Sequence, residues 1–195
     1  MKSYFSEQFG SDCGIDEAGR GSWAGPVVAA AVVLKNDSLL SDLDDSKKLS
    51  LKKRVFLFDE LIKNAKIGVG FASAQEIDKN NILQATFLAM RRAIKAFSVL
   101  PPRVLIDGNC VPPHFPCPAE HIVRGDSKVA CVAAASIIAK VTRDRYMKNL
   151  SKIYPGYGWE KNFGYGVNIH KEGLKRFGIT PEHRCSFKPI YNMLC

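Results

Sequence analysis

The first strong pattern is a run of apolar residues near the N-terminus. Residues 26–34 (PVVAAAVVL) are β-branched or small, and Pro26 and Asn36-Asp37 bound them. Such a run is typical of a buried strand. Residues 12–21 (DCGIDEAGRG) predict a shorter strand that leads into a glycine-rich turn, so we expect the two strands to form a hairpin. Residues 67–74 (IGVGFASA) alternate large and small side chains and predict a further strand.

Two later segments carry apolar residues at helical spacing. Residues 51–66 predict a helix with Ser50 as its N-cap, and a second helix ends at Pro101-Pro102. The apolar positions are Leu51, Val55, Phe58, Ile62 and Ala65 in the first helix, and Leu83, Phe87, Met90, Ile94 and Phe97 in the second.

A strand at residues 103–107 (RVLID) is followed by a loop with four prolines at residues 111–118. A short strand near residues 121–123 then leads to a long helix that opens at residues 125–127 and reaches about Leu150. This helix is apolar for three turns and then basic. We therefore expect its first half in the core and its second half at solvent or substrate. The basic positions are Lys140, Arg143, Arg145 and Lys148.

This order of elements predicts an α/β fold, a mixed sheet flanked by helices. We assign it to residues 1–150. Residues 151–195 contain an aromatic, glycine-rich stretch (residues 154–166) and a short helix near residues 170–177. We expect a small helical C-terminal subdomain there, packed on the first part and not independent of it.

The charge distribution indicates a class of binding partner. The net charge is +9, and residues 126–195 hold twelve Lys and Arg against five Asp and Glu. A basic region suits a polyanion such as nucleic acid, although a solvated basic surface is equally compatible with charge alone. The longest apolar run, residues 23–34, is too short to span a bilayer and contains Pro26. We expect a soluble cytoplasmic protein with no membrane partner.

Four acidic residues stand where burial is expected: Asp16 and Glu17 on the first strand, Asp107 at the end of a later strand, and Asp126 at the start of the long helix. Taken singly, Asp126 could be a helix N-cap and Asp107 a turn former. Together they are costly to bury and repel one another unless a cation compensates them. Hard divalent ions such as Mg²⁺ or Mn²⁺ prefer oxygen ligands and would do so.

Five sequence blocks carry a family resemblance. They are residues 14–32 (GIDEAGRGSWAGPVVAAAV), 45–49 (DSKKL), 105–109 (LIDGN), 125–147 (GDSKVACVAAASIIAKVTRDRYM) and 154–170 (YPGYGWEKNFGYGVNIH). In this order they resemble type 2 ribonuclease H, from about residue 12 to residue 187.

The resemblance implies a ribonuclease H-like fold and a metal site formed by Asp16, Glu17, Asp107 and Asp126. It implies two Mn²⁺ or Mg²⁺ ions that hydrolyse the RNA strand of RNA–DNA hybrids, and cleavage 5′ of single ribonucleotides in duplex DNA. The products would carry 5′-phosphate and 3′-hydroxyl ends.

The resemblance also implies substrate contacts. Gly19, Arg20 and Gly21 would recognise the ribose beside the scissile phosphate, although the residues alone also fit a tight turn between strands.

Tyr165 matches the family tyrosine that packs on the sugar at the RNA–DNA junction, whereas an aromatic residue in such a stretch is by itself more typical of packing. Here the sequence departs from the family, because Val167 and Asn168 follow the GYG motif where Thr, often with Lys, is usual.

Ser46 and Lys47, and Arg143 on the long helix, are candidate phosphate contacts, although a solvated charge is the commoner fate of a single lysine.

Three alternatives stay open. A non-catalytic nucleic-acid-binding module would explain the basic region but not the four acids. A type 3 ribonuclease H usually carries an N-terminal substrate-binding domain, for which the acid pair at residue 16 leaves no room. A DNA-directed or integrase-like nuclease would share fold and metals. We expect a monomer, and the sequence indicates no protein partner.

Overall fold

The protein is built on a five-stranded mixed sheet. The computed structural model describes residues 10–36, 43, 46 and 49–194. The strands are β1 (Asp12–Ala18), β2 (Val27–Leu34), β3 (Ala65–Ala72), β4 (Arg103–Asp107) and β5 (Ala119–Ile122), in the order β3-β2-β1-β4-β5. β1 and β2 form the predicted antiparallel hairpin and β3 extends it, while β4 and β5 run parallel to β1.

Helices cover both faces of this sheet, which confirms the predicted α/β class. They are α1 (Leu51–Asn64), α2 (Ala74–Lys95), α3 (Ala130–Ile153), α4 (Trp159–Asn162), α5 (Asn168–Phe177) and α6 (Lys188–Tyr191). None of the helices in the described ranges has an apolar stretch long enough to cross a membrane.

Strand alternation divides the core into two layers. Cys13 and Ile15 of β1 pack with α2 on one face. Gly14 and Asp16 face α3 on the other side, because successive strand residues point to opposite sides of a sheet. At Gly14, β1 and α3 approach each other so closely that a Cβ atom would collide with the backbone of Cys131 and Val132 in α3. The glycine thus lets α3 lie directly on β1.

Two details of the predicted helices were wrong. In α1 the buried residues are Leu57, Phe58 and Leu61, whereas Leu51 and Ile62 are exposed. Apolar residues occur on more than one side of this helix, so helical spacing alone did not select the side that packs on the sheet.

The long helix also begins later than predicted. Residues Gly125–Ser127 form a separate 3₁₀ turn, and α3 starts at Ala130 with Val129 as its N-cap. Arg124 before the turn has a left-handed backbone (φ 58°). Asp126 therefore lies in the turn and does not cap α3.

The C-terminal part packs around Trp159. This fully buried side chain clusters with Met147, Leu174 and Ile190, and with Ala24 from the N-terminal turn. α3 itself crosses residue 150. The proposed division of the chain at that position stays a prediction.

Two buried histidines complete this cluster. The Nε2 atoms of His170 and His183 lie 3.1 Å apart, and Trp159 Nε1 donates to His170 Nε2 over 3.1 Å. His183 Nδ1 accepts from the backbone N–H of Thr180. Burial lowers the pKa of both rings, and the neighbouring His170 helps bring the pKa of His183 to about 4. Both histidines are therefore neutral in the folded protein at pH 7.

We predict that Gly14→Ala lowers the free energy of unfolding by about 2 kcal/mol or more, because β1 and α3 must separate to admit the methyl group. Gly21→Ala is a matched control, since its Cβ would meet only the Tyr165 ring at 4.0 Å. Chemical denaturation should place the control within about 1 kcal/mol of wild type. Equal effects of the two changes would contradict this account of the packing.

We also predict a loss of stability in mild acid. The unfolded chain binds a proton at His183 below its ordinary pKa of 6.5, while the folded chain resists protonation until about pH 4. The free energy of unfolding should fall between these values by up to about 1.4 kcal/mol per pH unit for one proton. His183→Asn should flatten this slope in denaturation curves, whereas exposed His121→Asn should keep it. A wild-type slope in His183→Asn would rule out the buried ring as the cause.

Candidate active site

The register of the sheet brings two acids from distant parts of the chain together. Ile15 of β1 lies opposite Ile106 of the parallel strand β4. Asp16 and Asp107 each follow by one residue, so they are neighbours at the same end of the sheet. Both lie on the face that α3 covers, because Ile15 and Ile106 pack on the other face.

The 3₁₀ turn before α3 supplies the third acid. The backbone N–H of Gly125 donates to Asp107 Oδ1 over 2.7 Å, which ties the turn to the end of β4. Asp126 is buried in this turn. Carboxylate oxygens of Asp16, Asp107 and Asp126 all lie within 4.8 Å of one another.

This arrangement disfavours the charged form of Asp16. Burial raises the pKa of its carboxyl well above the usual range, and the charges of Glu17, Asp107 and Asp126 raise it further. The backbone N–H of Glu17, 2.6 Å from Asp16 Oδ1, opposes the shift only in part. A divalent cation would offset both the burial and the repulsion.

The donor set fits a hard cation. Mg²⁺ binds oxygen ligands at about 2.1 Å, and Mn²⁺ accepts similar carboxylate sites. Three carboxylates within 4.8 Å are of the size and chemistry that such ions occupy. Asp16, Asp107 and Asp126 are therefore the residues that could hold the metal.

Glu17 stands slightly apart from this trio. Its side chain is only 12% exposed, and Oε1 lies 3.3 Å from Nη1 of Arg20. Its carboxylate is not among the three clustered oxygens, although its charge helps raise the pKa of Asp16. It lines the same pocket as Asp16.

The acids open into a pocket of about 350 Å³. Its lining combines the first strand, the following turn, α3 and the C-terminal part. The lining residues are Asp16, Glu17, Ala18, Gly19, Arg20, Gly21, Ser46, Ser136, Lys140 and Tyr165. The Gly-Arg-Gly element, Ser46 and Tyr165 thus share one pocket with two of the four predicted acids.

Tyr165 is partly accessible, at 38% of its surface. Its ring lies above the guanidinium of Arg143, 5.7 Å from the centroid to Cζ. The backbone carbonyl of Tyr165 accepts from Nδ1 of His170 over 3.0 Å. The base of the tyrosine is thereby fixed while its ring faces the pocket.

The phosphate contacts expected from the sequence fare differently. Ser46 is buried at the pocket wall, where its backbone N–H donates to Ser136 Oγ. Lys47 lies outside the described residues. The expectation that Arg143 reaches solvent or substrate was wrong. Its side chain is 1% exposed, and its guanidinium donates to four protein oxygens. The buried guanidinium cannot contact a phosphate without giving up those bonds.

Two residues of the pocket wall were not among the predicted site residues, although Lys140 was one of the basic positions expected at solvent or substrate. Ser136 and Lys140 lie one helical turn apart on α3 and face the pocket. Ser136 is a polar residue within an otherwise apolar run, a signal that could have identified it. The Lys140 ammonium bonds Asp144 Oδ1 at 2.7 Å and lies 4.8 Å above the Phe163 ring.

Comparisons with known proteins give a consistent result. The family model for Ribonuclease HII matches residues 13–190. The ribonuclease HII of Jannaschia sp. (strain CCS1) is 52% identical over 182 residues, which are 93% of this chain and 92% of that protein.

Solved structures share the fold. A chain of the PCNA:RNase HII complex from Archaeoglobus fulgidus is 29% identical with a TM-score of 0.78, over 91% of this chain and 95% of that chain. Bst-RNase HIII in complex with Mn²⁺ has a TM-score of 0.73 at 18% identity, over 94% of this chain but 69% of that chain. The first match also supports common descent, while the second shows the fold alone. With most of its length matched by the family model and by a relative of about half identical sequence, this chain belongs to the ribonuclease HII family.

Proposed function

We propose that this protein hydrolyses the RNA strand of RNA–DNA hybrids and cuts 5′ of single ribonucleotides in duplex DNA. It is a metal-dependent endoribonuclease that leaves 5′-phosphate and 3′-hydroxyl ends. The observation that carries this proposal is the group of three carboxylates within 4.8 Å, of which Asp16 lines one pocket with the Gly-Arg-Gly turn and Tyr165. Membership of the ribonuclease HII family supports it.

The acids would hold two divalent ions, Mn²⁺ or Mg²⁺. Asp16, Asp107 and Asp126 supply the clustered oxygens, and Glu17 at the pocket wall completes the set. When bound, such ions polarise the scissile phosphate and activate water for in-line attack. The contribution of the chain is a rigid carboxylate frame, because the strand register and the Gly125–Asp107 hydrogen bond fix where each oxygen lies.

The turn after β1 would select the sugar. Gly21 admits a close approach of backbone to ligand, while the missing side chain of Gly19 makes room for Arg143 behind the turn. The 2′-hydroxyl is both donor and acceptor and distinguishes RNA from DNA. Tyr165, exposed across the pocket, would pack against the sugar at the junction. Val167 and Asn168 follow the GYG motif where Thr, often with Lys, is usual, so one hydroxyl donor is missing here.

Competing functions account for less of the site. A binding-only module gives no role to the mutual repulsion of the three clustered acids, which adds to burial in raising the pKa of Asp16. The likeness to a type 3 ribonuclease H extends to the fold only, at 18% identity. We expect the enzyme to act as a cytoplasmic monomer in ribonucleotide excision repair, with nucleic acid as its partner.

We predict that Asp16→Asn lowers the cleavage rate about a hundredfold or more, because one charged ligand of the ion site is lost. Binding of a hybrid should remain measurable by fluorescence anisotropy. Added Mg²⁺ or Mn²⁺ should raise the melting temperature of the wild type and leave that of Asp16→Asn nearly unchanged.

Asp59→Asn is the matched control, because Asp59 is exposed and pairs with Arg145 at the surface. It should keep both the cleavage rate and the metal-dependent rise in melting temperature. Wild-type turnover by Asp16→Asn would remove Asp16 from the metal site.

Substrate choice follows from the position of the turn beside the acids. Matched duplexes with zero, one and four consecutive ribonucleotides should give no cut, a cut 5′ of the single ribonucleotide, and cuts within the ribonucleotide run. Sequencing gels would locate the cuts, and ligation would identify the ends. Cleavage of the all-deoxy duplex would indicate a DNA-directed nuclease. Binding without cleavage in Mg²⁺ and in Mn²⁺ would indicate a binding module.

A further inference from the structure

A buried arginine lies beneath the Gly-Arg-Gly turn. Arg184, between α5 and α6, has no exposed surface. Its guanidinium donates from Nη2 to the carbonyl of Gly19 over 2.7 Å and from Nη1 to that of Arg20 over 2.9 Å. Nε donates to the carbonyl of Gly25 over 3.0 Å. One side chain thus binds the Gly-Arg-Gly turn, at Gly19 and Arg20, and also Gly25 further along the chain.

A second arginine extends the same contact from α3. Arg143 donates from Nη2 to Ser22 Oγ over 2.6 Å and to the carbonyl of Ala24 over 3.0 Å, and from Nε to the carbonyl of Pro26 over 2.8 Å. Ser22 Oγ in turn donates to the carbonyl of Gly19 over 2.9 Å. Five carbonyls of residues 19–26 are therefore directed at two adjacent cations in the interior.

These cations are costly to bury. Within the described ranges, neither guanidinium has a carboxylate within 4.0 Å. Burial lowers the pKa of both side chains, and the nearby charge of Arg143 helps bring the pKa of Arg184 to about 9. Apolar replacement of buried charges is often neutral or stabilising, so stability alone does not account for this pair.

Their effect on the turn follows from peptide geometry. In a trans peptide unit the N–H points away from the C=O of the same unit. Because the carbonyls of Gly19 and Arg20 point at Arg184, the N–H groups of Arg20 and Gly21 point the other way, out of the interior. In the described part of the chain, neither N–H donates to a protein acceptor. Two oriented donors are thus left for a ligand.

We propose that Arg184 is a positioning residue that orients the Gly-Arg-Gly turn for ribose recognition, with Arg143 and Ser22 as its support. The inference rests on the proposed function, in which this turn reads the sugar. Arg184 never touches the substrate. It fixes the turn through three carbonyls and so sets the direction of the N–H donors before the substrate arrives, which lowers the ordering cost of binding.

The test compares Arg184→Lys with wild type on two duplexes that differ only in one ribonucleotide. Lysine keeps the charge but cannot reach three carbonyls in fixed directions. Dissociation constants are measured in EDTA, where no turnover occurs, together with kcat and KM in Mn²⁺. We expect the preference for the ribonucleotide duplex to fall about tenfold, the effect of one or two lost hydrogen bonds. Affinity for the all-deoxy duplex should stay within about twofold, since phosphate contacts carry no sugar information.

Two further variants separate positioning from stability. Ser22→Ala removes one hydroxyl of the support and should lower the preference in the same direction by a smaller factor. It decides the question if Arg184→Lys does not fold. Leu61→Ala, in the core of α1, serves as a control with a comparable loss of melting temperature and should keep the wild-type preference.

The outcomes distinguish this inference from the proposed function. An unchanged preference in folded Arg184→Lys and in Ser22→Ala overturns the positioning role and leaves the nuclease assignment standing. An equal loss of affinity for both duplexes, as in a destabilised control, also overturns it. A wild-type protein that neither prefers nor cuts the ribonucleotide duplex would instead refute the function on which the inference rests.

Discussion

The repulsion between carboxylates that the fold holds together is the constraint on which the rest of this structure depends. Asp16, Asp107 and Asp126 come from a strand, a parallel neighbour and a turn, and hydrogen bonds hold these three segments together. Burial and this repulsion together raise the pKa of Asp16. The interior on either side of these acids is apolar and closely packed, so the fold opposes their separation and leaves compensation to bound cations.

Much of this arrangement could be predicted from the sequence, because it depends on local patterns. The apolar run of β2 and the sequence RVLID of β4 have the composition of buried strands. The structure has a strand at both positions. An acid at the end of such a strand is conspicuous. Once β1 and β4 are taken as parallel neighbours, Asp16 and Asp107 must meet, since carboxyl ends of parallel strands share one edge.

What could not be predicted depends on contacts between distant segments. Arg143 lies in a basic stretch of α3, and only the arrival of the turn at residues 22–26 buries it. Arg184 lies in a tail with no regular pattern, and its acceptors are about 160 residues earlier in the chain. A sequence does not show where its backbone carbonyls point. The buried side chains that bind those carbonyls are therefore recognised only in the folded chain.

The parallel pairing of β1 with β4 also bears on how the protein matures. Between these strands the chain forms β2, α1, β3 and α2, so the pairing that joins Asp16 to Asp107 is strongly non-local. Such non-local pairings form slowly, because a long loop must close, at a cost in entropy, before the contacts that stabilise it can form. A nascent chain on the ribosome can form its hairpin early, but the proposed set of metal ligands is incomplete until the turn at Asp126 emerges. Under the proposed function, hydrolysis would therefore require synthesis of the chain beyond Asp126.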